Sequence, residues 1–331
     1  MKTIAKRMLK WFQTRLLRDL HADNEIERLL LGRMACAQFR KILHIHSLAD
    51  VEFKVSSQWG EDGIIDWLIE RLGIKHNTFV EFGVQDYKES NTRFLLQNRN
   101  WSGIILDADS AYIDAIRRDD ISWRYDLHTV EAFITTSNIN NLIASHGLQG
   151  TIGLLSVDID GNDYWILKAI EIVSPIILIV EYNALWGDQK PVAIPYHEKF
   201  VRSEAHYSHV YYGASIAAFC QIAAQKGYRL VGTNSIGSNA FFVRADYAVK
   251  LDGLIEDMQP RPARCREARH ENGHLAFNTP AERLQAVGHL PLVNVETGAT
   301  ARVTDWAPLY SPEWAAGMGL SVTEKGLEIS H

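Results

Sequence analysis

Tyr228-Arg229-Leu230-Val231-Gly232 and Ala240-Phe241-Phe242-Val243-Arg244 are two strand-like runs with only Thr233 to Asn239 between them. That gap is too short for the helical crossover that parallel neighbours need, so the second run must return antiparallel to the first. Upstream, short apolar runs alternate with helical stretches from about residue 55, the pattern of βαβ units and a parallel sheet. Thr78 to Gly83 is a first strand closed by glycine, and Gly103 to Asp107 is a second that ends in an acid. Trp123-Arg124-Tyr125 is a weaker third. Gly153 to Asp158 and Ile176 to Glu181 are the fourth and fifth, continuous apolar runs of the kind buried on both faces. Helices are expected over Glu61 to Leu72, Asn91 to Asn98, Ala111 to Arg118, Tyr164 to Ile172 and Ala214 to Lys226. The expected fold is therefore α/β: a doubly wound, mostly parallel, seven-stranded, Rossmann-like sheet with an antiparallel last strand.

Around this core the chain divides into three regions. Residues 1–50 read as a helical extension, 51–246 as the α/β domain with a lid insertion at 184–212, and 247–331 as a less regular C-terminal extension richer in Pro, Gly and Arg. In the first region Met8, Leu9, Phe12, Leu16 and Leu17 recur at helical spacing among Lys and Arg. Such a helix either packs on the domain or on a second subunit of a homo-oligomer, or lies on an anionic membrane surface. No run approaches the roughly 20 apolar residues of a membrane span, and no secretory signal is evident. Cys36, Cys220 and Cys265 lie far apart and form no redox or zinc pair, which fits a reducing cytoplasm, with peripheral contact at the inner face of a membrane as the alternative. A net charge of −6 carries no basic excess of the kind nucleic-acid binding uses. The expected partner is a small-molecule or glycan substrate.

In open α/β sheets, ligands bind beyond the carboxyl ends of the strands. Glu81 and Gly83 close the first strand: the glycine lets a ligand approach the backbone, and the acid can hold an ammonium or an ordered water. Asp107, or Asp109 beside it, closes the second at a spacing suited to gripping ribose hydroxyls. Asp126, just past the expected third strand, is placed to meet an adenine amino group. Solvation or helix capping is the plain alternative for each of these acids.

A second group lies at the fourth and fifth strand ends. Asp158, Asp160 and Asp163 fall within Ser156 to Asp163, and Glu181 and Asn183 stand at the next strand end. Crowded carboxylates repel one another unless a proton or cation compensates them. Hard oxygen donors suit Mg²⁺, Mn²⁺ or Ca²⁺. An ion there could bind a substrate hydroxyl and lower its pKa. The alternative is an acidic turn in which Asp160 or Asp163 caps the following helix. His197 and, after it, His206 in the lid are candidate general bases. Trp186 and the lid tyrosines could stack on a sugar ring or simply pack.

These residues together resemble the FkbM-like branch of class I methyltransferases. The resemblance covers about Ser56 to Asp246 and rests on Ser57-Gln58-Trp59-Gly60-Glu61-Asp62-Gly63, Val80-Glu81-Phe82-Gly83-Val84, Ser90-Asn91-Thr92, Ser156 to Tyr164, Val180-Glu181-Tyr182-Asn183 and Tyr211-Tyr212-Gly213-Ala214-Ser215. It implies S-adenosylmethionine as cofactor, with Glu81 and Gly83 at its methionine end and Asp107 or Asp109 at its ribose. It further implies that Gln58 and Glu61 fold over the cofactor and that Asn91 and Thr92 help to bind it. In related metal-dependent enzymes a Mg²⁺- or Mn²⁺-type ion is held by acids that map onto Asp158 or Asp160, Glu181 and Asn183, with Asp158 in a catalytic role. The resemblance implies O-methylation of a sugar or glycan-linked hydroxyl. A non-catalytic nucleotide- or glycan-binding module in a larger assembly is the alternative. A nicotinamide-dependent oxidoreductase is disfavoured by the final hairpin and by the absence of a G-x-G-x-x-G run. One departure stands out: Gly83 is followed by Val84-Gln85-Asp86-Tyr87-Lys88, where a typical methyltransferase loop has several glycines.

Overall fold

The computed structural model describes residues 24–265, 267–323 and 326–329. The basic amphipathic stretch from Met8 to Leu17 lies outside the described residues. The first element described is a helix over residues 24–39 (α1), followed by α2 (Glu61–Leu72), β1 (Thr78–Phe82), α3 (Arg93–Arg99), β2 (Ser102–Asp107) and α4 (Ser110–Arg118). Then come α5 (Ile121–Arg124), β3 (Leu127–Glu131), α6 (Ile139–Ala144), β4 (Gly150–Val157), α7 (Asp163–Ala169) and β5 (Val173–Glu181). The lid carries β6 (Val192–Ala193) and α8 (Arg202–Ala205). The domain closes with α9 (Ile216–Gln225), β7 (Tyr228–Thr233) and β8 (Asn239–Arg244).

The sheet runs β3-β2-β1-β4-β5-β8-β7. Neighbours from β3 through β5 are parallel, while β8 is antiparallel to both β5 and β7. The hairpin closes as the short gap requires, and its second strand slots in beside β5.

Successive residues of a strand face opposite sides, and here both sides are buried. Val80, Phe82, Leu106, Leu155, Val157, Leu178 and Val180 face a core completed by Ile139, Ile166, Leu167, Phe219 and Ile222 from α6, α7 and α9. Phe79, Ile105, Leu154, Ile177 and Ile179 face the opposite core, filled by Ile64, Leu68, Leu96, Ile113 and Ile116 from α2, α3 and α4. This two-sided burial explains why these strands lack a polar face.

The third strand is a correction. Trp123 and Arg124 lie in the short helix α5, where Trp123 is 73% exposed, and the strand itself is Leu127–Glu131. The expectation failed because β3 is an edge strand with only Val130 buried, so its apolar signal is weaker than that of the solvent-facing Trp-Arg-Tyr run before it.

The extensions converge on the strand ends. α1 docks through Gly32, whose Cα sits against Val55 and Phe94, and through the buried Cys36. From the C-terminal region, Tyr310 donates its hydroxyl proton to the Leu185 carbonyl (2.7 Å), and the Trp314 indole donates to that of Ala184 (3.1 Å). Residues past 247 therefore pack directly over the carboxyl end of β5.

Gly83 fixes how closely the β1 and β4 ends approach. Its φ is +68°, and a Cβ there would lie 1.9 Å from the Asp158 carbonyl oxygen. Gly83→Ala should therefore cost about 3 kcal/mol or more of folding stability, from steric overlap added to left-handed strain. Urea denaturation checks this, and a loss of less than about 1 kcal/mol would mean the two strand ends can part freely.

Candidate active site at the strand ends

Two cavities open at the carboxyl end of the sheet. The first, about 280 Å³, is lined by Gly83 and Gln85 after β1, Asp107 and Ala108 after β2, Ala132, Phe133 and Ile134 after β3, and Asp158, Ile159, Asp160 and Asn162 after β4. Tyr112 and Phe200 complete it. The second, about 320 Å³, is built from Gln58 and Trp59, the β5 end from Glu181 to Leu185, the lid residues Arg202, Val210 and Tyr212, and C-terminal residues including Cys265, Leu275, Phe277 and Met318.

Between them lie Asp158, Asp160 and Glu181, with one carboxylate oxygen from each within 4.8 Å of the others. Asp158 and Asp160 line the first cavity, and Glu181 lines the second. Burial raises the Asp158 pKa well above the carboxylate range, and the charges of Asp160 and Asp163 push it further. Glu181 is raised likewise by burial and by Asp158 and Asp160.

The donor set fits a hard divalent cation: all its ligand atoms are oxygens. Two further polar atoms lack partners. Glu181 Oε2 is buried with no hydrogen bond, and so is Asn162 Oδ1 on a residue only 4% exposed. Buried acceptors left unpaired are costly, and a cation bound there would meet that cost at Glu181. Asn183, beside Glu181, is engaged with the backbone. Its Oδ1 accepts from the Leu185 amide (3.0 Å), and its Nδ2 donates to the carbonyls of Val210 and Tyr212 (2.9 and 3.0 Å), tying the lid to β5.

Asp163 does not cap α7 from the Ncap position, which Asn162 holds. Its carboxylate instead accepts the amides of Ile159 (2.7 Å) and Gly161 (2.8 Å), shaping the turn that presents Asp158 and Asp160. Asp160 takes a left-handed φ of +57° and pairs with Arg202 of α8.

Other acids expected at the cofactor are held by backbone amides. Glu81 accepts from the amides of Asn91 (2.7 Å) and Thr92 (3.0 Å) and from the Thr92 hydroxyl. Glu81, Asn91 and Thr92 thus form a buried clasp that anchors the start of α3, and none of them lines the first cavity. Glu61 is fully buried as well. Its Oε1 accepts from the Asn234 and Asn239 side chains (2.7 and 2.9 Å), and its Oε2 from the amides of Trp59 and Gly60 (both 2.9 Å). Gln58 belongs to the second cavity.

Asp107 does face the first cavity while steadying its rim, accepting from the amides of Gln85 (2.7 Å) and Asp109 (2.9 Å). Asp109 caps α4 through the Ala111 amide (2.7 Å), the plain alternative for a strand-end acid. Asp126 is a correction that follows from the shifted third strand: it precedes β3, faces solvent beside His128 and lies at the opposite end of the sheet.

The glycine-poor loop after β1 holds its shape through other means. Gln85 and Tyr87 adopt left-handed φ values of 48° and 61°, and the buried Tyr87 hydroxyl bonds Thr92 Oγ1 (2.9 Å). Unanticipated wall residues are Tyr112, Phe133 and Phe200. Tyr112 and Phe133 are large, exposed rings beside Asp107, suited to a planar base. Only their position one turn or two residues past strand ends could have flagged them.

The histidines sit outside both cavity linings. His197 is exposed, its carbonyl accepting from Asn162 Nδ2 (2.9 Å). His206 bonds Ser208 Oγ (2.6 Å) and stacks near Tyr207 and His289. Trp186 is a packing residue, fully buried with its indole donating to the Tyr212 carbonyl (2.8 Å).

A parallel sheet in the order three-two-one-four-five, with an antiparallel strand inserted before the last, defines a class I, S-adenosylmethionine-dependent methyltransferase-like fold. No protein-family model matches the chain, and no curated protein matches it. Solved structures similar to it include the O-methyltransferase from Bacillus cereus in complex with SAH, at 14% identity over 66% of this chain and 89% of that one, with a TM-score of 0.39. The N-terminal domain of EvdMO1 with SAH bound is similar at 8% identity over 55% of this chain and 79% of that one, with a TM-score of 0.36. An O-methyltransferase family protein from Burkholderia thailandensis is 12% identical over 56% of this chain and 60% of that one, with a TM-score of 0.33. Among the described residues, no helix is long and apolar enough to cross a membrane.

The buried acids carry a pH signature. Burial raises Glu81 to about 7, and Asp62 and Asp163 each to about 6. Each then holds its proton to higher pH folded than unfolded, where carboxyls titrate near pH ~4. The folded chain thus binds more protons between those limits, and unfolding free energy falls as pH rises through them. Measured in chelator, the thermal midpoint should drop from about pH 5 to about pH 8, and Glu81→Gln should flatten that slope. A midpoint that climbs over this range would contradict the assignment.

Proposed function

We propose that this chain is an S-adenosylmethionine-dependent O-methyltransferase, assisted by a divalent cation such as Mg²⁺ or Mn²⁺, acting on a hydroxyl of a sugar or glycan-linked acceptor. The observation that carries the reading is the position of Asp158, Asp160 and Glu181, wedged between a cavity at the β1–β2 ends and a second at the β5 end. In-line methyl transfer needs the acceptor oxygen, the methyl carbon and the sulfur in one line, with the proton-handling group beside the oxygen, and acids shared by the two cavities stand where such a group is needed.

In this reading Gly83, Asp107, Tyr112 and Phe133 hold the cofactor: the glycine gives backbone access, the acid accepts ribose hydroxyls, and the rings cover the base. Bound S-adenosylmethionine supplies an activated methyl group, and a bound cation lowers the pKa of an acceptor hydroxyl. The chain's own contribution is positioning. Phe200 from the lid closes the cofactor side, and Trp59, Leu275 and Phe277 give the acceptor side an apolar rim beside the polar Glu181. Alignment of acceptor oxygen and methyl group is worth orders of magnitude in rate. Asp158, which a bound cation would keep deprotonated, would accept the single acceptor proton, a role for which its place beside both cavities suits it better than the outlying His197 and His206. The FkbM-like motifs, retained in order along the sequence, support the sugar assignment.

Calorimetric titration of the full chain with S-adenosylmethionine and its demethylated product, with and without Mn²⁺, tests the proposal. Micromolar binding is expected, weakened at least tenfold in Asp107→Ala, an amount equal to about 1.4 kcal/mol. Absence of binding under every metal condition would sink the methyl-transfer reading and favour a non-catalytic module.

A further inference from the structure

The acidic site already has one cation beside it. Among the described residues, Arg202 is the single cationic side chain paired with the trio, its Nη1 donating to Asp160 Oδ1. Its other contacts hold the guanidinium over the Tyr212 ring (3.9 Å to the centroid), with Nε donating to the His209 carbonyl (2.5 Å) and Nη2 standing 3.7 Å from Glu267. Arginine stays protonated under all ordinary conditions, so this positive charge is permanent.

We propose, building on the reading of the trio as a cation site, that Arg202 is its charge gate: Arg202 and a divalent cation compete for Asp160, and loading the cation frees the lid around α8. Glu181 Oε2 and the Oδ1 of the 4% exposed Asn162 are buried acceptors that Arg202 does not meet. Coordination demands one oxygen from each acid at bonding distance. A divalent charge placed there sits within a few ångströms of the guanidinium, whose side chain is only 15% exposed.

The two positive groups repel each other, and the one held by the less fixed element gives way first. The cation's remaining ligands are rooted in the ends of β4 and β5, whereas Arg202 belongs to a four-residue helix with no buried residue and no side-chain cap. Glu267 in the wall of the second cavity already pairs with Arg202 (3.7 Å) and keeps a partner for the guanidinium when Asp160 is withdrawn. The cation thus shifts Arg202 from two carboxylate partners to one. Phe200 and Arg202 stand two residues apart and touch different cavities, so release at Arg202 loosens the wall between cofactor and acceptor.

The test uses the full chain and Mn²⁺ alone, without methyl donor. Calorimetry should give about tenfold tighter Mn²⁺ binding for Arg202→Gln, while Arg202→Lys, which keeps the charge, should resemble the parent chain. Limited trypsin digestion follows the lid directly, since Lys199 lies within it: Mn²⁺ should speed cleavage after Lys199 in the parent chain several-fold. Equal or weaker Mn²⁺ binding by Arg202→Gln would show that Arg202 builds the site and would overturn the gate. So would slower cleavage after Lys199 on adding Mn²⁺, a readout that needs no variant to fold. If no form binds Mn²⁺ the gate fails, while binding of S-adenosylmethionine measured in chelator would still leave the methyl-transfer reading standing.

Discussion

Carboxylates crowd the carboxyl end of this sheet, and each one turned inward must find a compensating partner. Backbone amides meet most of the demand. Asp62 gathers the amides of Val55, Ser56 and Ser57, Glu81 those of Asn91 and Thr92, Asp107 those of Gln85 and Asp109, and Asp163 those of Ile159 and Gly161. Each pairing bends a loop into place, so these acids act as internal templates that shape the strand-end loops. Asp160 is met by Arg202. Asp158 and Glu181 receive neither an amide of this kind nor an ion pair among the described residues, and that deficit singles them out chemically.

The extensions around the sheet make sense against the same constraint. A carboxylate pair set between two cavities needs walls that limit its contact with bulk water, and no strand end supplies them alone. The lid contributes Phe200 and Arg202, and Asn183 fastens it by bonding the carbonyls of Val210 and Tyr212. Residues beyond 247 then cover β5 through Tyr310 and Trp314 and furnish much of the second cavity's wall. Phe277 is 73% exposed at that wall, an apolar surface with no internal partner to justify it.

Much of the fold was legible in the sequence because its inner strands are buried on both faces. The mainly apolar runs Phe79–Phe82, Ile104–Leu106, Leu154–Val157 and Ile176–Val180 leave few alternatives, and the short gap before Ala240 fixes the antiparallel strand. The edge strand β3 gave no such signal, since only Val130 is buried, and Asp126 was misplaced with it. The site was half legible for a different reason. Strand-end acids look alike in sequence, whether they bind a ligand or an amide. What separates Glu81 from Asp158 is the conformation of a loop ten residues away, which brings the Asn91 and Thr92 amides to one and nothing comparable to the other. Tyr112, Phe133 and Phe200 escaped notice because a cavity-lining ring and a packing ring share the same sequence signature.

The central claim is that the two cavities and the acids between them form one methyl-transfer site. The most direct test is a crystal structure of the full chain grown with S-adenosylhomocysteine and Mn²⁺, with anomalous data collected for the metal. The account predicts the nucleoside between Asp107 and Phe133, with a manganese peak bounded by Asp158, Asp160 and Glu181. Nucleoside density in the cavity beside Phe277, or a manganese peak away from all three acids, would contradict it.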